Sequence, residues 1–153
     1  MSLRDKLTAD MKDAMKAGEK KKVNTIRLMT SAIKEKEINS RTEGHDSGAI
    51  TDAGILEVLT KMVKQRQDSI AAFEAGGRAD LAQNEREETN IIQAYMPKQM
   101  DEAEAKSAVA EVIKTVGASS IKDMGKVMAE LKSKYAGQMD MGKAGGIVKG
   151  LLG

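Results

Sequence analysis

Apolar residues recur along this chain at three- and four-residue spacing, the period of a helix with one buried side. The most informative stretch is the middle. Ile55, Leu59, Met62, Val63, Ile70 and Phe73 form one such train, with Arg66 at its centre. Leu81, Ile92 and Tyr95 form the next, with Glu85 and Glu88 inside it. If the chain folds back antiparallel at Gly76-Gly77, then Phe73 with Leu81, Arg66 with Glu88, Met62 with Ile92 and Leu59 with Tyr95 share a single register. A charge at a core position needs a partner, so the pattern predicts a helical hairpin holding a buried or half-buried ion pair.

The same periodicity predicts helices on either side. Ser2 with Asp5 is a capping box for a first helix on Leu3, Leu7, Met11 and Met15, closed by Gly18. A second helix, residues 20–39, carries Val23, Ile26, Met29, Thr30 and Ile33, and the turn-rich segment 40–49 follows as a loop. Thr51 caps the third helix, which runs to about Ala75, with Ile50 and Ile55 as a hydrophobic staple. The fourth runs from about Asp80 to Tyr95, where Pro97 forces a stop. A domain boundary there divides residues 1–96 from 97–153. Beyond it, Asp101 with Glu104 opens a helix on Val109, Val112, Ile113 and Val116, ended by Gly117. Ser120 with Asp123 opens another on Ile121, Met124, Val127, Met128, Leu131 and Tyr135. Asp140 caps the last, on Met141, Ile147, Val148 and Leu151. The expected fold is all-α: about four helices in hairpins, then a small three-helix bundle.

Composition supports this class. Three aromatics and one proline among 153 residues disfavour strands, and eleven methionines supply part of the apolar quota. No cysteine is present, which excludes disulfides, thiolate metal sites and cysteine nucleophiles, and fits a reducing compartment. No apolar run reaches the roughly 20 residues of a spanning helix, and the charged start MSLRDKLTADMKDAMK has no hydrophobic signal core, so an unexported cytoplasmic protein with no membrane contact is expected. Net charge is +2. Residues 1–96 carry 16 basic and 16 acidic side chains, and residues 97–153 carry 9 and 7. That mild excess is far from a DNA-binding arm, and no DNA partner is expected.

Candidate chemistry is sparse. GQMDMGKA, residues 137–144, has the glycine and lysine spacing of a phosphate-binding loop, but Ala144 stands where a magnesium-binding hydroxyl belongs and a helix precedes it in place of a strand. It reads as a turn. His45 is the single histidine, in a glycine- and serine-rich loop, and makes no metal site alone. No nucleophile with its base can be assembled, so no catalytic residue and no cofactor are expected. Arg66 and Glu88, with Asp68 and Glu85 nearby, form the one polar cluster; a carboxylate held by a guanidinium stays ionised and paired, which suits a structural ion pair better than a general acid. Two basic faces remain. Lys20, Arg27, Lys34 and Arg41 repeat every seven residues on the second helix, and Lys122, Lys126, Lys143 and Lys149 lie in the carboxy-terminal bundle. So few aromatics leave little for base stacking, so any nucleic acid would be held by shape and phosphate.

The segments KMVKQRQDSIAAFEAGGRADLAQNEREE, IIQAYMPKQMDEAE and GASSIKDMGKVMAELK, with IRLMTSAIKEKEI upstream, resemble the YqeY family, also called the GatB/YqeY family, over nearly the whole chain. Gly77 and the tail AGQMDMGKAGGIVKGLLG are where departures are expected. The resemblance implies an all-helical protein whose carboxy-terminal part is similar to the tail of GatB, a subunit of the tRNA-dependent amidotransferase, where such a tail helps hold tRNA. It supplies no catalytic residues. Taken with the basic bundle, it implies a non-enzymatic adaptor that binds tRNA or a tRNA-handling protein complex through Lys122, Lys126, Lys143 and Lys149. Two alternatives stand beside it. One is an accessory subunit, or a carbon-nitrogen ligase with glutamine as amido-nitrogen donor, using Arg66, Asp68, Glu85 and Glu88; the other is a protein-interaction module with a methionine-lined groove and no RNA.

Overall fold

The computed structural model describes residues 2–42 and 50–153, and for residues 41 and 42 the helical backbone only. The expected loop around His45 and the side chain of Arg41 therefore lie outside the described residues. Among those described, the chain is all helical, without a strand: α1 Leu3–Ala17, α2 Lys20–Thr42, α3 Asp52–Ala75, α4 Ala79–Gln93, α5 Glu102–Val116, a 3-10 turn Ile121–Asp123, α6 Met124–Tyr135 and α7 Met141–Leu152. Backbone contacts gather into two compact units, Met1–Met96 and Pro97–Gly153.

The first unit is built around the α3/α4 hairpin, its most extensively packed pair of helices. The turn works because Gly77 takes φ 73, a left-handed conformation that side chains with a Cβ adopt at a cost. With Gly77 so placed, its amide donates to Glu74 O at 3.1 Å and that of Arg78 to Phe73 O at 2.8 Å, which satisfies the last carbonyls of α3. The core of this unit comprises Leu7, Ile26, Met29, Ile33, Ile55, Leu59, Met62, Val63, Ile92 and Tyr95. Polar links tie its helices together: Arg4 with Glu37, Lys21 with Glu87, Arg86 with Glu74, and the Leu3 amide donating to Asp52 Oδ1 at 3.3 Å.

The second unit has its own core of Ala105, Ala108, Val109, Val112, Val127, Leu131, Met139, Ala144 and Val148. Asp101 and Glu104 form the reciprocal capping box at the start of α5. Asp140 accepts from the Gly142 amide at 3.2 Å to cap α7.

Several details depart from the periodicity. Thr30 is exposed; Thr25 is buried, its hydroxyl donating to Lys21 O at 2.8 Å. Both hydroxyls back-bond, Thr30 to Ile26 O at 2.6 Å, so the bond satisfies the buried Thr25 without selecting it; the two residues lie about 140° apart around the helix and only Thr25 is turned into the core. On α1, Ala14 is buried and Met15 exposed. α2 continues through Thr42 because residues 40–42 include neither glycine nor proline. α4 ends at Gln93, and tighter turns, Tyr95 N to Ile92 O and Met96 N to Gln93 O, carry the chain toward Pro97. Ser120 does not cap the sixth helix with its side chain. Asp123 reaches back to the Ser119 amide at 3.0 Å, so the chain enters through a 3-10 turn and Ile121 is left exposed. On α7 the buried seam runs through Ala144 and Val148 toward Leu152, leaving Leu151 in solvent.

Tyr95 closes the first unit. Its ring is buried, its hydroxyl donates to Asp10 Oδ2 at 2.6 Å, and the Lys6 ammonium lies 5.3 Å from the ring centroid. Burial first, and then the Asp10 carboxylate, disfavour the phenolate and push the hydroxyl well above its ordinary 10.0. Because the folded value is the raised one, this contribution to stability is whole below pH 10.0 and is lost as pH rises beyond it. Tyr95→Phe is expected to cost roughly 1.5 kcal/mol at neutral pH, as for a hydrogen bond to a charged group. It should also flatten the alkaline decline in denaturant midpoint; an unchanged decline would assign that decline to other groups.

Candidate functional site

The polar cluster expected in the hairpin is only partly assembled. Arg66 Nε donates to Glu88 Oε2 at 3.0 Å, and Arg66 Nη1 donates to Met62 O of its own helix at 3.2 Å. The two side chains are 13% and 19% exposed, so the pair is largely withdrawn from water. Asp68 lies about 200° around α3 from Arg66, since each helical residue advances 100°, and it is exposed. Glu85 is half-buried one turn before Thr89, whose hydroxyl donates to Glu85 O at 2.8 Å. Among the described residues the guanidinium therefore pairs with Glu88 and a backbone carbonyl, without the second carboxylate that acid-base chemistry would use. Among the described residues no group of histidine, cysteine, aspartate and glutamate could hold a metal ion.

The carboxy-terminal lysines are exposed but dispersed. Lys122 sits in the 3-10 turn, Lys126 in the first turn of α6, and Lys143 and Lys149 on α7. Six residues of helix separate the last two by about 120° around the axis and about 9 Å along it. The Ile121 side chain lies 3.9 Å from where a Cβ on Gly153 would be, so Lys122 is at the end of the unit where α7 finishes. Near Lys126, Asp123 adds an opposing charge. Its carboxyl is held below the usual 3.8 chiefly by the Ser119 amide, and further by the Ser120 amide and Lys126.

Gly137 to Ala144 is a connection followed by the first turn of α7. Gly137 O and Gln138 O accept from the Gln99 side chain and the Met100 amide, and Ala144 is 1% exposed, so the position where a phosphate loop needs a hydroxyl is core. On α2, Lys20, Arg27 and Lys34 all face solvent. The spacing of large side chains does not mark the alanines buried between helices, Ala82 and Ala105 among them.

The fold and these side chains define an all-helical protein of two units whose best-enclosed charges serve to pair helices. The chain belongs to the YqeY family: the family described as "Yqey-like protein" matches residues 4–152. It is similar to proteins named "Altered inheritance of mitochondria protein 41, mitochondrial" from three organisms. Identity is 43% over 90 residues with that of Eremothecium gossypii (59% of this chain, 46% of the relative). It is 41% over 95 residues with that of Clavispora lusitaniae (62% and 52%), and 40% over 90 residues with that of Saccharomyces cerevisiae (59% and 46%). The chain thus spans about half the length of the curated relatives it matches.

These findings overturn two expectations. The relatives are named as mitochondrial proteins, which contradicts the expected cytoplasmic location. Lack of cysteine and of a long apolar run constrains redox chemistry and membrane crossing, but neither is an address. No described helix is long and apolar enough to cross a membrane. The tRNA adaptor reading also falls, because the relatives are named for the inheritance of mitochondria. Its physical support was a modest surplus of surface lysine, which solvated helix faces carry in any case.

Two outcomes follow from this geometry. Arg66→Ala should destabilise the protein by roughly 3 kcal/mol, the lower end for stranding a buried charge, while Arg66→Met with Glu88→Leu should recover most of that loss in the same denaturation series. A single-variant cost under about 1 kcal/mol would place the pair among exposed salt bridges. For Asp123 the folded value is the depressed one, so its contribution is present above 3.8 and lost as pH falls through the folded value. The Ser119 amide resonance should therefore titrate with a midpoint below 3.8; a midpoint at or above it would mean that the cap is not formed.

Proposed function

We propose that this chain is a non-catalytic helical module that acts by binding another protein, in the process to which its relatives' name refers, the inheritance of mitochondria. The observation that carries this reading is the closure of the Arg66–Glu88 pair. The most enclosed charged groups near each other satisfy one another, 3.0 Å apart, and bridge two helices. The similarity of about 40% over 90 residues to these relatives supports the link to the process.

The carbon-nitrogen ligase activity associated with the family resemblance is not part of this proposal. Amide formation needs an activated carboxyl, a nitrogen donor and a positioned base. An arginine paired to a glutamate between two helices supplies none of these.

The test is a chimera in Saccharomyces cerevisiae in which the matching segment of the yeast protein is replaced by that of this chain, scored by the fraction of daughter cells that receive functional mitochondria. A version carrying Arg66→Met with Glu88→Leu separates binding from chemistry, because the packing is retained while the charges are removed. Both chimeras are expected to support inheritance at the level of the yeast protein. Failure of the first would dissociate the chain from the process; failure of the second alone, in a folded protein, would mean that the pair has a chemical role.

A further inference from the structure

α2 is buried along one side only. Val23, Ile26, Met29 and Ile33 enter the core of the first unit. The flank bordering that stripe and the outward side beyond it carry Lys20, Asn24, Arg27, Leu28, Ser31, Lys34, Glu35 and Ile38, all exposed. From Lys20 to Ile38 this face extends about 27 Å at 1.5 Å per residue. Two of its features are unusual together. Leu28 and Ile38 are large aliphatic side chains left 47% and 52% exposed. Beside them Lys20, Arg27 and Lys34 form a basic row at seven-residue spacing.

That row has no acidic counterpart among the described residues. Arg4, Arg66, Arg78 and Arg86 each have a carboxylate partner, and Lys21, just outside the face, is paired with Glu87 of α4. Arg27 alone of the arginines with described side chains has none, and neither Lys20 nor Lys34 has one. The face itself contributes a single acid, Glu35, on the side away from the row.

We infer that the outward face of α2 docks an acidic amphipathic helix of a partner protein, an assignment that rests on the binding-module reading above. A helix with carboxylates every seven residues matches the spacing of Lys20, Arg27 and Lys34, and aliphatic side chains beside them cover Leu28 and Ile38. Charge complementarity sets the class of occupant and the two aliphatics narrow it. Phosphates would pair with the row but leave Leu28 and Ile38 in water, and none of the chain's three aromatics, Phe73, Tyr95 and Tyr135, lies on α2 to stack a base. A lipid surface takes a helix by a broad apolar side, which α2 has already buried within its own unit.

The test uses the full chain and three designed 21-residue helical peptides that share one leucine stripe and differ only in a flanking row of glutamate, glutamine or lysine at seven-residue spacing. Binding is read by fluorescence anisotropy at low salt, with a 21-base-pair RNA duplex as competitor. The glutamate peptide is expected to bind at least 10-fold more tightly than the other two. Arg27→Glu with Lys34→Glu should weaken it at least 10-fold, and Leu28→Ser with Ile38→Ser at least 5-fold. Helix content serves as the control in both variants and should be retained, because no side chain of the four is in the core. Equal binding of the three peptides, or none, overturns the proposal. So does indifference to the Leu28 and Ile38 changes, or displacement by the duplex at lower concentration than by unlabelled peptide. Peptide failure with both yeast chimeras functional would remove this surface and leave the binding-module reading intact. Loss of inheritance in the folded Arg66→Met, Glu88→Leu chimera would instead remove that reading, whatever the peptides do.

Discussion

The pair formed by Arg66 and Glu88 constrains the first unit more than any apolar contact in it. Apolar seams tolerate sliding, because a leucine shifted by a turn meets another aliphatic surface. A guanidinium and a carboxylate with less than a fifth of their surfaces in water do not. Shifting α4 by one turn against α3 would part Glu88 from Arg66 and leave that carboxylate withdrawn without its partner, at a cost of several kcal/mol. The register then places Met62 and Ile92 in one core and brings Tyr95 within reach of Asp10 on α1. Exchanging the pair for well-packed aliphatics is often neutral or stabilising. Its value to the fold lies in excluding alternative alignments of two otherwise similar stripes.

That same logic explains what could be read without coordinates. An arginine inside an apolar train is informative because few arrangements accommodate it, and here one antiparallel register supplies Glu88. Helix caps at Thr51, Asp101 and Asp140 are legible for a related reason: a short polar side chain before an apolar train has a specific unsatisfied amide to accept from. Less legible are positions where two neighbouring residues suit the boundary of a stripe. Ala14 against Met15 and Leu152 against Leu151 were each decided by the partner helix, about which local spacing says nothing. In the second unit the buried alanines 105, 108 and 144 let helices approach closely, and a stripe drawn through large residues rotates away from them.

Charge is the least transferable of the signals. The two basic groups look alike as counts of lysine and arginine, yet they differ once neighbours are known. In the second unit the lysines are scattered around α7 and about the start of α6, with Asp123 beside Lys126. On α2 they form a row unopposed by any described acid, next to two exposed aliphatic side chains. Net charge cannot distinguish these cases, since it is indifferent to which cations are already paired. The lesson holds for the candidate site too: four polar residues close in sequence number reduce to one ion pair, with Asp68 on another side of its helix and Glu85 a turn away.

The second unit shows how little of a helix can be intrinsic. α7 has glycine at 142, 145, 146 and 150 among its 12 residues. At about 1 kcal/mol each relative to alanine, these make an isolated α7 unfavourable by roughly 4 kcal/mol before nucleation is counted. Nothing lies within 4 Å of a Cβ built on Gly146 or Gly150, and one on Gly145 would meet only the Met124 methyl at an ordinary 3.6 Å, so crowding within the chain does not require glycine at these three positions. The helix exists because Ala144, Val148 and Leu152 join the core formed with α5 and α6, and because Asp140 caps its first turn. Its stability is therefore tertiary, and of the unit's three α-helices it is the one whose persistence relies most on the packing of the other two.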